Sequence, residues 1–89
     1  MDFEWDETKA RTNEKKHDVS FIEAAEVFGD DYSSCIHDPD HSYDEDRYLL
    51  FGVSLKGNFL IVSFIEKSDT IRIISARRMT NQERKAYER

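Results

Sequence analysis

The chain has 89 residues and a formal net charge of −6, which allows one domain with a two-layer core and leaves too little for a second. A single cysteine, Cys35, excludes an intramolecular disulfide, and no apolar segment approaches the length needed to span a bilayer. The opening Met-Asp-Phe-Glu-Trp-Asp has no basic start followed by an apolar run, so the expectation is a soluble, cytoplasmic protein.

A negative total argues against general nucleic-acid binding, which draws affinity from neutralised phosphates. The distribution of charge points the other way. Residues 1–46 hold four Lys/Arg against fifteen Asp/Glu, a net of −11, and residues 47–89 hold nine against four, a net of +5. An acidic half joined to a basic half predicts two surfaces with different partners.

Phe3 and Trp5 alternate with acids and read as a short strand or anchor. Asp6 then caps a helix through about His17, with Glu7 in its first turn and Lys15, Lys16 and His17 in its last. Its inward spacing offers Ala10, Asn13 and His17, a largely polar stripe, so packing is expected through Ala10 and the stems of Lys9 and Lys16. The helix is either a solvated one or the edge of a site at Lys16 and His17. Ser20 with Glu23 predicts a capping box opening a second helix, with Phe21, Ala24, Ala25 and Phe28 on the core face, Glu23 and Glu26 opposite, and Gly29 as the stop.

Tyr32 to Ile36 reads as an edge strand, and His37 to Asp46 as a loop around the only proline, Pro39. His37 and His41 with Asp38 and Asp40 match no specific metal pattern, and neither a metal nor a cofactor is expected. Arg47 to Ser54 resumes the sheet, with Leu49, Phe51 and Val53 on one face and Tyr48, Leu50 and Gly52 on the other; Gly52 marks a bulge or a close backbone approach. A turn at Lys56-Gly57-Asn58, a strand from Phe59 to Ile65 and a hairpin from Glu66 to Asp69 lead to the strand Thr70 to Arg78. Thr80 with Glu83 repeats the capping box before a short helix carrying Ala86 and Tyr87.

The expected fold is therefore α+β, a single domain over residues 1–89. Two N-terminal helices pack on one face of a small, mainly antiparallel four-stranded sheet, followed by a short C-terminal helix. The strand Thr-Ile-Arg-Ile-Ile-Ser-Ala-Arg-Arg is its centre. Arg72, Arg77 and Arg78 on so apolar a strand point to one sheet face left open for an anion, and the planar guanidinium suits phosphate.

Specific blocks resemble a known family. Phe3-Glu4-Trp5-Asp6, Lys9-Ala10, Asn13, Lys16-His17, Val19-Ser20-Phe21 and Glu23-Ala24 are similar to the start of the BrnT family of bacterial toxins. Ile71-Arg72-Ile73-Ile74-Ser75-Ala76-Arg77, Glu83-Arg84 and Tyr87-Glu88 resemble its closing block, and Arg47 before the Gly52 strand fits as well. The resemblance covers nearly the whole chain, with residues 37–46 the least family-like. It implies a ribonuclease toxin of a type II toxin-antitoxin pair with a RelE-like fold, cleaving RNA to inhibit translation. It also implies neutralisation by a DNA-binding, BrnA-like antitoxin in a complex that represses its own operon.

Metal-independent RNA cleavage needs the 2′-hydroxyl to attack the adjacent phosphorus, a base to take its proton, and donors to stabilise the phosphorane. Arg72, Arg77 and Arg47 are the candidates for the phosphate, with Lys16 as a further contact and Arg78 as either another or a solvated strand-end charge. His17 and Glu66 are the candidate bases, although Glu66 reads equally as a hairpin-tip charge or an ion-pair partner. Ser75 reads as a small packing residue and not as a nucleophile. Strict alternation puts Arg72 and Arg77 on opposite faces, so they share a site only if the strand bulges or ends near Ser75. The competing expectations are a non-catalytic module that holds RNA, DNA or a protein carboxylate, and a degenerate toxin acting as corepressor.

Overall fold

The computed structural model describes residues 1–88. The elements run β1 (Asp2–Glu4), α1 (Glu7–His17), α2 (Phe21–Glu26), β2 (Ser34–His37), β3 (Tyr48–Val53), β4 (Phe59–Lys67), β5 (Thr70–Arg78) and α3 (Asn81–Tyr87), with single 3-10 turns at Val27–Gly29 and Pro39–His41. The sheet order is β1-β5-β4-β3-β2. β2 to β5 are antiparallel, as expected, with short turns joining β3 to β4 and β4 to β5 and the longer segment 38–47 joining β2 to β3, but the sheet has five strands and is mixed. β1 lies parallel to β5, with Phe3 opposite Ile71, because α1 and most of the chain intervene and return β5 in the same direction. Among the described residues no helix is long and apolar enough to cross a membrane.

One sheet face carries Leu50, Leu60, Val62, Phe64, Ile71, Ile73 and Ala76, packed with Val19, Phe21, Ala24 and Val27 into a single core. Gly52 belongs to this face. A Cβ there would stand 2.6 Å from Val27 Cγ1 and 3.1 Å from Asp30 Oδ2, so the close approach foreseen for this glycine is real, and only hydrogen fits.

Asp6 caps α1 through the Lys9 N–H at 3.0 Å, and Thr80 with Glu83 forms the expected capping box. Ser20 caps α2 by accepting from the Glu23 N–H at 3.0 Å, but the expected capping box is only half formed, because the Glu23 carboxylate turns to other donors and not back to the Ser20 N–H. Glu23 departs from expectation. It is buried, not solvent-facing, because Ser54 Oγ and Asn58 Nδ2 each donate to its Oε2 at 2.7 Å. Burial raises its pKa, but those two donors together with the charges of Lys56 and Arg78 outweigh it, and the net shift is downward.

The opposite face is open over its centre. Its floor comes from Leu49, Phe51, Ile61, Ser63, Ser75 and Arg77. α3 closes one end, with Tyr87 edge-on to Phe59 at 6.1 Å between ring centroids and the Arg84 guanidinium 4.0 Å above the same ring. The three helices therefore do not share one face.

Candidate active site

Whether Arg72 and Arg77 share a face depends on one residue. Ser63 pairs with Ser75 while Phe64 pairs with Ile73, and the register shift between them leaves Ile74 as the extra residue of a bulge on β5. Alternation restarts after it, so Ile73 and Ala76 both face the core, and Arg72, Ser75 and Arg77 all face the open side. The bulge that a shared face requires is present.

Being on one face does not bring the two guanidiniums to one point. Arg72 pairs with Ile65 and Arg77 with Ile61, four positions apart on β4, or about 13 Å at roughly 3.3 Å per residue. Each has its own carboxylate. Arg72 Nη1 lies 2.9 Å from Glu4 Oε2, and Arg77 holds Glu83 bidentately at 2.8 and 3.0 Å.

Arg77 lies in a cleft of about 140 Å³ lined also by His17, Leu49, Phe51, Ile61, Ser63, Ser75 and Glu83. His17 reaches it from the last turn of α1. That turn is placed by Asn13, which is buried and whose amide group hydrogen-bonds both the N–H and the C=O of Ala76, at 3.1 and 2.9 Å. Arg77 Nη1 also donates to the Arg78 carbonyl at 3.2 Å. Of its five N–H donors, three are used within the protein, and two remain for a ligand. Glu83 is held ionised, its pKa brought down to about 2 first by the Arg77 hydrogen bonds and then by the Thr80 N–H. It anchors Arg77 and cannot act as a proton donor near neutral pH.

The other candidates lie elsewhere. Glu66 sits near the β4–β5 turn, in a depression of about 390 Å³ with Glu45, Asp46, Tyr48 and Lys67. This hollow is larger than the Arg77 cleft, but carboxylates dominate its lining and repel phosphate. Arg47 lines a separate hollow of about 110 Å³ with His41, Tyr43, Asp44 and Glu45. Arg78 pairs with Leu60 on the helix-covered side and lies 3.7 Å from Asp18. Lys16 lines a second groove beside α1. His37, the last residue of β2, contacts Asp46 at 3.1 Å, and in the loop after it His41 contacts Asp38 at 2.9 Å; among the described residues no three metal-ligating side chains converge.

Sequence reasoning missed the anchoring role of Glu83, which it assigned only to a helix cap, and the part played by Asn13. The signal for Asn13 was present as a polar residue at an inward position of α1. An amide there has both a donor and an acceptor to offer a strand edge.

A small α+β domain with an uncovered, arginine-bearing sheet face falls within the class of ribonuclease toxins of type II toxin-antitoxin systems. The chain belongs to the BrnT family, described as "Ribonuclease toxin, BrnT, of type II toxin-antitoxin system", which matches residues 5–83. Among solved structures it is similar to the Brucella abortus ribonuclease toxin BrnT, known at 1.1 Å resolution, with 25% identity and a TM-score of 0.66 over 91% of this chain and 99% of that one. No curated protein matches. Membership in a type II system implies an antitoxin as partner.

Proposed function

We propose that this chain is a metal-independent endoribonuclease whose centre is the cleft between His17 and Arg77. The observation that carries the reading is that one imidazole and one guanidinium with free donors line the same hollow on the open sheet face. A phosphodiester laid there meets the two remaining donors of Arg77 at its non-bridging oxygens. His17 takes the 2′-hydroxyl proton as that oxygen attacks phosphorus, and the bond from phosphorus to the 5′-oxygen breaks. The products are a 2′,3′-cyclic phosphate and a 5′-hydroxyl.

Among the residues lining the cleft, no second acid faces the leaving oxygen. Glu83 is ionised and Arg77 keeps its proton, so the 5′-oxygen takes a proton from water. Catalysis then rests on charge stabilisation and positioning, and turnover is slow by ribonuclease standards. Glu66, at the far turn, has no part in this chemistry, and Arg72 holds a neighbouring stretch of backbone.

The wider reading is a RelE-like bacterial toxin that cleaves RNA in the cytoplasm to inhibit translation. A BrnA-like, DNA-binding antitoxin neutralises it, and the pair assembles on operator DNA. The family description supports the toxin and its antitoxin, and the net of −11 over residues 1–46 gives a basic partner a surface to meet.

The test is incubation of purified protein with RNA in EDTA, beside His17→Ala and Arg77→Ala. Cleavage by the parent that both variants lose by a hundredfold or more supports the proposal. Binding without cleavage by the parent overturns it in favour of a non-catalytic module.

A further inference from the structure

The Ile74 bulge has a second effect, on the side of β5 that α1 flanks. There Ile74 and Ser75 line a groove of about 290 Å³ with Thr8, Lys9, Thr12, Asn13, Lys16 and His17 of α1. His17 and Ser75 line both this groove and the Arg77 cleft, so the two hollows adjoin along those residues. Lys9 and Lys16 stand seven residues apart on one face of α1, about 10.5 Å at 1.5 Å per residue. Thr12 lies between them.

The ion pairing differs sharply between the two hollows. Arg72, Arg77 and Arg78 each have a carboxylate within 4 Å, whereas among the described residues neither Lys9 nor Lys16 has one. The cations beside the cleft that are in no ion pair among the described residues are therefore on α1. Next to it Ile74 supplies an apolar ledge and Thr12 a hydroxyl. This combination of paired ammonium groups, a hydroxyl and an aliphatic wall suits a nucleotide, with phosphate at the lysines and the sugar or base against Ile74.

We propose that the groove between α1 and the Ile74 bulge is a nucleotide subsite. It holds the residue of single-stranded RNA adjoining the scissile pair, and its phosphate is gripped by Lys9 and Lys16. The inference rests on the cleavage site at His17 and Arg77 but makes a separate claim: affinity comes mainly from α1, because each of the three β5 arginines is already in an ion pair and the two remaining donors of Arg77 serve the scissile phosphate. The chain then prefers a substrate at least one nucleotide longer than the pair it cuts.

The experiment measures binding of 2′-O-methyl oligonucleotides, in which attack is blocked, as a dinucleotide and as trinucleotides extended at the 5′ or the 3′ end. The parent should bind one of the two trinucleotides at least tenfold more tightly than the dinucleotide. Lys9→Ala with Lys16→Ala should reduce that preference to within twofold and lower the salt dependence of binding by about 0.7 per lysine removed. Both lysines are exposed, so the double variant should fold, and thermal melting checks that it does. No length preference in the parent, no binding of any oligonucleotide, or a preference that survives the double substitution would each overturn the subsite.

Unmodified RNA assayed in parallel separates the two claims. A parent that shows the lysine-dependent preference yet never cuts retains the subsite and loses the catalytic reading. One that cuts with no length preference does the opposite.

Discussion

Asn13 closes the edge of β5 at Ala76. Among the described residues no strand covers that edge beyond the end of β1, and the Asn13 side chain takes the place of one, accepting from the Ala76 N–H at 3.1 Å and donating to its carbonyl at 2.9 Å. The same Nδ2 donates to the Val19 carbonyl at 3.0 Å. One amide thus ties α1, the turn after it and the edge of β5 together, and holds His17 over the open face one helical turn further on.

Asn13→Ala leaves the Ala76 N–H and two carbonyls without partners in a buried place. At about 1 to 3 kcal/mol for an unsatisfied buried group, and with partial relief by water, the expected loss of stability is about 3 kcal/mol. Urea unfolding with an unchanged slope and a lower midpoint would show it. A cost below about 1 kcal/mol would mean that the amide is not the tie described.

Gly52→Ala should destabilise by about 1 to 3 kcal/mol through overpacking, since the new methyl meets Val27 Cγ1 at 2.6 Å. Val27→Ala in the same chain should recover part of that loss. Thermal melts of the two single variants and the double variant measure this coupling.

Glu83 gives acid stability a definite sign. Its pKa is about 2 when folded, against an ordinary 4.5, so the stabilisation from its pairing with Arg77 is complete above about pH 4.5. It is lost as pH falls through about 2. Glu23, also lowered, acts in the same direction. The melting difference between the parent and Glu83→Gln should therefore be largest near neutral pH and shrink between pH 4.5 and 2.

The same substitution separates holding from charge. Without its carboxylate anchor Arg77 is freer to meet phosphate but less fixed in direction, so Glu83→Gln should lower KM and lower kcat about tenfold. Steady-state kinetics on a short RNA would resolve the two. Arg72→Ala, about 13 Å away along the sheet, should raise KM and leave kcat within threefold.

Much of the fold was legible because its signals are local. The capping residues Asp6, Ser20 and Thr80 lie where helices begin, and Lys56-Gly57-Asn58 and Glu66 to Asp69 supply the turns that set β3, β4 and β5 side by side. What escaped is non-local. Nothing in Asp2–Glu4 states that its partner is Thr70–Arg72, so the fifth, parallel strand went uncounted. Glu23 was placed facing solvent because Ser54 and Asn58, its donors, lie some thirty residues away. The bulge is the instructive middle case. Alternation along Ile71 to Arg77 showed that one was needed for the arginines to share a face, but only the pairing with β4 identifies Ile74 as the extra residue. The candidate cleft follows the same rule: an imidazole at His17 and a guanidinium at Arg77 are visible in the sequence, but that they line one hollow and Glu66 another depends on the sheet.

The most direct test of the account is the chemistry of the cut ends. RNA cleaved by the purified chain in EDTA should, by mass spectrometry, carry 2′,3′-cyclic phosphate and 5′-hydroxyl termini, because the nucleophile is the neighbouring 2′-oxygen. Termini of 3′-hydroxyl and 5′-phosphate would require water as the nucleophile, and would contradict a centre built from His17 and Arg77.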